Sequence, residues 1–189
     1  MKKILCNAML LLAVFLTVSC SSDTKLRESL NEYVNVSTHQ LFPIGKFVFD
    51  ENVIDAGFGK ITIELLGQLQ NEGLITYTVL ENQGSIHEVD VKMTEEGLKY
   101  ADKTDDNVYI VTLYTCKVGE ILEKEFMEEY GKGKCSYSTV YDKVTPFGEI
   151  LKGIKPGDVC DKKMEERVEK IDGVWQAKWP SWKAPKEKK

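Results

Sequence analysis

The chain opens on an unbroken apolar run, Ala8 to Leu16, behind Lys2 and Lys3; from residue 25 onward its apolar positions become periodic. Leu26, Leu30, Tyr33 and Val34 recur at helical spacing and predict an amphipathic helix over 25–35. Val36 to Pro43 reads as loop. Ile44 to Phe49, with Phe42 held out of helical geometry by Pro43, reads as a short strand. Ile61, Leu65, Leu66 and Leu69 then form one helical face, and Gly73 stands just past the helix end, where a left-handed cap is needed. The run Leu74 to Leu80 is rich in β-branched and aromatic residues and predicts a strand. After a turn at Glu81 to Ser85, Val89, Val91 and Met93 alternate with Glu88, Asp90 and Lys92 in a second strand, Ile86 to Met93. Thr94 suits an N-cap, with Glu95 and Glu96 favouring the dipole of a helix over Glu95 to Ala101.

Polar residues Asp102 to Asn107 mark the expected module junction. Val108 to Val118 alternates with apolar residues on both faces, as a central strand does. Glu120 to Tyr130 sets Ile121, Leu122, Phe126 and Met127 among glutamates and reads as a short helix ending in a flexible turn at Gly131 to Lys134. Cys135 to Val144 is strand-like, and the Pro-Phe-Gly and Pro-Gly-Asp stretches between Thr145 and Asp158 signal loops. Met164 to Ile171, Asp172-Gly173 and Val174 to Trp179 give a strong hairpin signal, since Asp-Gly suits a two-residue type I′ turn.

These elements predict an α+β protein: a helical module over 25–103, then an antiparallel sheet module with one short helix over 104–182, and a charged, disordered tail over 183–189. Helix, strand, turn, strand and helix between residues 56 and 101, with Leu65-Leu66 to Glu72-Gly73-Leu74-Ile75, resemble the second half of a winged-helix domain. The resemblance implies a recognition helix over 59–72 and a hairpin wing. That helix carries Lys60 as its one base, against Glu64 and Glu72, so the family's DNA binding is not expected. The closing hairpin Ile171 to Trp175 looks like the last one of many small exported α+β domains, NTF2-like ones among them.

The start of the chain bears on location. Two lysines, an apolar stretch within the roughly 7–15 residues of a signal core, and small residues before Cys20 describe a secretory signal peptide. Ser19, Ser21, Ser22 and Asp23 end the run short of the ~20 residues a spanning helix needs. Thr17-Val18-Ser19-Cys20 resembles the lipobox of bacterial lipoprotein precursors, although Leu is commoner where Thr17 stands. The resemblance implies removal of residues 1–19, lipidation of Cys20 and a tether over 20–24. At about 0.8 kcal/mol per buried methylene, several acyl chains make membrane residence nearly permanent. Ser21, rather than Asp, resembles the pattern of outer-membrane sorting. An ordinary secretory peptide cut near Ser19 is the alternative.

Composition narrows the partners. The 189 residues include 25 Lys and Arg against 30 Asp and Glu, and loss of Lys2 and Lys3 takes the net charge from −5 to −7. Such a chain is a poor ligand for nucleic acid or another polyanion. Of five cysteines, Cys116, Cys135 and Cys160 belong to the exported domain. A Cys116 to Cys135 disulfide is the preferred pairing, because both lie in strand-like segments. Its 18 intervening residues correspond to about 3 kcal/mol in the loop-entropy account. Three small buried thiols are the alternative. No Cys-x-x-Cys or paired-histidine spacing is present, so neither zinc nor a cofactor is expected.

No catalytic constellation emerges. His39 and His87 are the only histidines, and neither accompanies a nucleophile or an orienting carboxylate. The acidic stretch Glu120 to Glu129 lacks the spacing of a calcium loop, and Gly131 and Gly133 lack the rest of a phosphate loop. Trp175, Trp179 and Trp182 are the most suggestive side chains: they could stack on a sugar or peptide, or seal the sheet against its helices. The expectation is a non-enzymatic envelope lipoprotein, held to the membrane by its lipid, that binds a protein or glycan partner. The second hypothesis is a lipid-anchored inhibitor or immunity-type protein with a protruding loop at Gly131 to Lys134 or Pro146 to Gly157. A hydrolase using His39 or His87 is the third.

Overall fold

The structure, a computed structural model, describes residues 23–178. Cys20 with its signal segment, Trp179, Trp182 and the tail 183–189 lie outside the described residues.

Strands dominate, which overturns the expected α+β class with its N-terminal helical module. Among the described residues there are four short helices: α1 over residues 23–34, α2 Ile63–Asn71, α3 Glu95–Leu98 and α4 Pro146–Lys152. The same residues hold eleven strands: β1 Thr38–Pro43, β2 Gly45–Asp50, β3 Ile54–Asp55, β4 Gly59–Lys60, β5 Ile75–Gln83, β6 Ile86–Met93, β7 Ala101–Asp105, β8 Val108–Met127, β9 Lys132–Val144, β10 Val159–Ile171 and β11 Val174–Ala177. The chain forms two units, and neither is contiguous. One takes residues up to 35, 117–140 and from 159 on; the other takes 36–116 and 141–158. The division therefore does not fall at residue 104.

In the first unit the hydrophobic core is Leu26, Leu30, Val118, Cys135, Tyr137, Val168, Trp175 and Ala177. Leu26 and Leu30 are the apolar stripe read from the sequence, and polar side chains of α1 fix it in place. Asn31 accepts from the Val118 N–H at 2.7 Å, Ser29 accepts from the Ala177 N–H at 2.9 Å, and Arg27 donates to the Val118 and Gly119 carbonyls. The predicted hairpin is present: Asp172 and Gly173 both take positive φ, 51° and 81°, as a type I′ turn requires. The helix expected over Glu120 to Tyr130 is instead the second half of β8, with a single 3-10 turn at Glu128–Tyr130. Helical spacing there is overridden by pairing, because strand neighbours satisfy this backbone and its glutamates. Glu123 accepts from Ser136 and pairs with Lys163 at 2.8 Å, Lys124 pairs with Asp23, and Phe126 stacks on Trp175. Gly131 to Lys134 is no protruding loop, since Lys132 to Lys134 already pair with β10.

Cys135 is buried as a thiol, as is Cys116 in the other unit. Burial pushes the Cys135 thiol up to about 11, from an ordinary 9.0. The folded state thus favours the protonated thiol; this preference is intact below pH 9.0 and is lost as pH rises through about 11. Native labelling with a maleimide at pH 8 is expected to modify half-buried Cys160 first and to spare Cys135 until urea is added. Mass spectrometry of non-reduced peptides from the same sample checks the Cys116 to Cys135 pairing.

In the second unit the core is built from Phe42, Ile61, Leu66, Leu69, Leu74, Ile75, Val89, Val91, Val111, Leu113 and Phe147. Helix α2 and β6 lie where the sequence predicts them, β5 runs on through Gln83 into the expected turn at Glu81 to Ser85, and Gly73 takes its left-handed φ of 72°. The winged-helix reading nevertheless fails, because residues 36–62 supply strands β1 to β4 where helices should stand. The expected loop at Val36 to Pro43 is β1, which pairs with β8, and the expected junction at Asp102 to Asn107 holds most of β7. Thr94 caps α3 as predicted, accepting from the Gly97 N–H at 3.1 Å. Thr145 caps α4 in the same way, so Pro146 to Lys152 is helix rather than loop, with Phe147 in the core.

Candidate functional site

Strand β2 alternates Lys46, Val48 and Asp50 with Phe47 and Phe49. The first two of the polar-side set are exposed, whereas both phenylalanines pack against the core. Beside β2 lies an open cavity of about 470 Å³ within the second unit. Its walls are Lys46 to Asp50 along β2, Val53, Phe58 and Ile61 from the following segment, and Pro43, Ile44 and Val108. This volume and apolar lining fall in the range of built ligand sites, roughly 300–1,000 Å³. The far wall is held by side-chain bonds. Asp55 accepts from the Gly57 and Phe58 N–H groups at 2.7 and 2.9 Å, and Gln40 donates to the Phe58 carbonyl at 2.5 Å.

Two carboxylates line the cavity. Backbone N–H donors from Phe58 and Gly57 hold Asp55 below the usual carboxylate range, and the Asn52 N–H does the same for Asp50, with Ser85 assisting. Both are therefore ionised at neutral pH. Among the described residues, Lys46 is the single cation on these walls.

A second cavity, of about 580 Å³, is more polar and takes His39, Gln40, Tyr114, Tyr141 and Lys152 into its lining. The Tyr114 and Tyr141 rings meet edge to face at 4.7 Å. His39 is exposed, with Nδ1 at 3.2 Å from the Thr112 hydroxyl. His87 is buried on β6, its Nε2 is 3.7 Å from Glu51 Oε1, and neither ring nitrogen has a hydrogen-bond partner. Glu51 accepts instead from the Ile63 N–H at 2.8 Å, at the start of α2. His87 thus packs beside the Phe49 ring, at 5.4 Å. A His87→Leu chain is expected to keep its stability within about 1 kcal/mol, or gain, because an unsatisfied buried polar group is replaced by an apolar one. Urea melts of the two chains check this.

The structure brings together few of the residues singled out from sequence. Trp175 is 6% exposed and stacks on Phe126 at 4.1 Å, so it seals the first unit's sheet rather than meeting a ligand. Among the described residues no group of three or more His, Cys, Asp or Glu is placed to hold a metal. Sequence reasoning missed the β2 cavity, although the Phe47-Val48-Phe49 triplet in an alternating stretch was its visible sign. No family model matches the chain, and comparisons with curated proteins and with solved structures likewise find no match.

Proposed function

We propose that this chain is a bacterial envelope lipoprotein, anchored through Cys20, that works as a non-catalytic binding module, with the β2 cavity as the seat of its ligand. The cavity carries the reading: three half-buried phenylalanines, Phe47, Phe49 and Phe58, line an open cleft beside two ionised carboxylates. Apolar walls supply affinity, and Asp50, Asp55 and Lys46 supply orientation. The anchor keeps the module, and whatever it holds, at the membrane.

The test places a photo-crosslinking phenylalanine analogue at Val53, which is 57% exposed and lines the cavity, and at Ile171, 48% exposed in the other unit. In intact envelopes a distinct adduct is expected from position 53 and not from 171. Identical adducts from both would leave the cavity without a role. The anchor has its own check: Cys20→Ala should leave the membrane fraction and stop incorporating labelled fatty acid.

A further inference from the structure

The β2 cavity runs along a strand edge, not over a sheet face. Consecutive strand residues point to opposite faces, so a cavity touching all of Lys46 to Asp50 must follow the edge between those faces. The hydrogen-bond register fixes which backbone groups face it. Glu51 donates to the Ser85 carbonyl at 3.0 Å, so the residues two and four before it, Phe49 and Phe47, form the hydrogen-bonded pairs with β6. Lys46, Val48 and Asp50 therefore aim their N–H and C=O groups outward, along the cavity. The Val53 N–H reaches the Asp50 carbonyl from that side at 3.0 Å, consistent with this register. Among the described residues, nothing pairs with β2 on that edge, and the outward N–H and C=O groups of Lys46 and Val48 take no backbone partner.

Resting on the reading of this cavity as a ligand seat, we propose that its occupant is an extended peptide segment of another envelope protein, added as a fourth strand to β2. Backbone bonds to Lys46 and Val48 would supply the ladder, and alternate side chains the specificity. One face of the added strand meets Phe47, Phe49 and Phe58, and so carries apolar residues. Its other face continues the side of the sheet that holds Lys46, Asp50, Glu88, Asp90 and Lys92, three acids to two bases, with ionised Asp50 beside the new strand. Opposite Asp50, charge complementarity selects Lys or Arg. The segment is thus alternately apolar and basic. The cavity between β2 and the wall at Val53 and Phe58 measures about 470 Å³, and a second copy's β2 would bring the same wall with it.

The probe is an acetylated, amidated octapeptide of alternating valine and lysine, added to the full lipidated chain in phosphatidylethanolamine nanodiscs. Saturable binding by fluorescence anisotropy is expected, with hydrogen exchange at the Lys46 and Val48 amides slowed at least about tenfold. The Val48→Pro chain removes one outward donor and no β6 bond, a change that edge strands tolerate. It should bind the peptide at least about tenfold more weakly. A peptide N-methylated at alternate residues should fail on the unmodified chain, which keeps the test independent of how Val48→Pro folds. Equal binding of the methylated peptide, or protection elsewhere than β2, would overturn strand addition. So would Lys46 and Val48 amides already protected without peptide, whether lost on dimer dissociation or on truncation after Lys178. Failure of the peptide with a distinct adduct still formed at position 53 would refute the strand while leaving the binding module intact; loss of both would refute both.

Discussion

A Trp175→Ala chain is expected to lose about 3–5 kcal/mol of stability, the range for truncating a buried large aromatic. Trp175 fills the first unit's core with Leu26, Leu30 and Tyr137. Its ring lies at 18° to that of Phe126, and the Lys170 ammonium sits 5.9 Å from its centre. The same Lys170 donates to Glu128 at 2.7 Å and holds its carboxyl low. Truncation opens a cavity, strips one face from Phe126 and frees the end of β8. Thermal melts by far-ultraviolet circular dichroism measure the loss. A melt within about 1 kcal/mol of the unmodified chain would show Trp175 to be a surface residue after all. Peptide binding at β2, measured below the melting transition, should be unaffected.

Gly148→Ala should destabilise the second unit by about 1–3 kcal/mol or more, while Gly67→Ala, the same change in another helix, should be neutral or stabilising. Both glycines are helical, so helix propensity alone favours alanine by roughly 0.5–1 kcal/mol in each. Tertiary contact separates them. A methyl at position 148 would meet the Leu113 carbonyl oxygen at 2.3 Å, and that atom is backbone in a core strand. It cannot give way as a side-chain tip can, and Thr145 ties the same turn of α4 down by donating to the Thr112 carbonyl at 2.6 Å. A methyl at 67 meets only the Tyr77 hydroxyl, at 3.7 Å. Urea melts with hydrogen exchange of amides in 36–116 distinguish the two; equal effects would mean that α4 does not seat on β8 as described.

Much of the local structure was legible in the chain itself, for reasons that act over a few residues. The spacing of Leu26 and Leu30, the Thr94 cap, the left-handed Gly73 and the Asp172-Gly173 turn each depend on neighbours in sequence, and each stands where the pattern puts it. Segments with two plausible periods went the other way. Glu120 to Met127 fits a helix by spacing and becomes strand because β9 offers its backbone and Ser136 offers Glu123 a hydroxyl. Thr38 to Pro43 has no strong alternation and becomes β1 because β8 is there to pair with it.

The candidate site was hidden for the same reason. Sequence by itself predicted a short strand over Ile44 to Phe49, which puts Phe47 and Phe49 on one face; it could not determine that β2 lies at a sheet edge. That was decided by β6 choosing β2 and β5 as its two neighbours, a pairing between residues some forty positions apart in sequence on one side and adjacent on the other. Long-range partners fix which backbone groups are consumed and which stay open, and no local spacing encodes them.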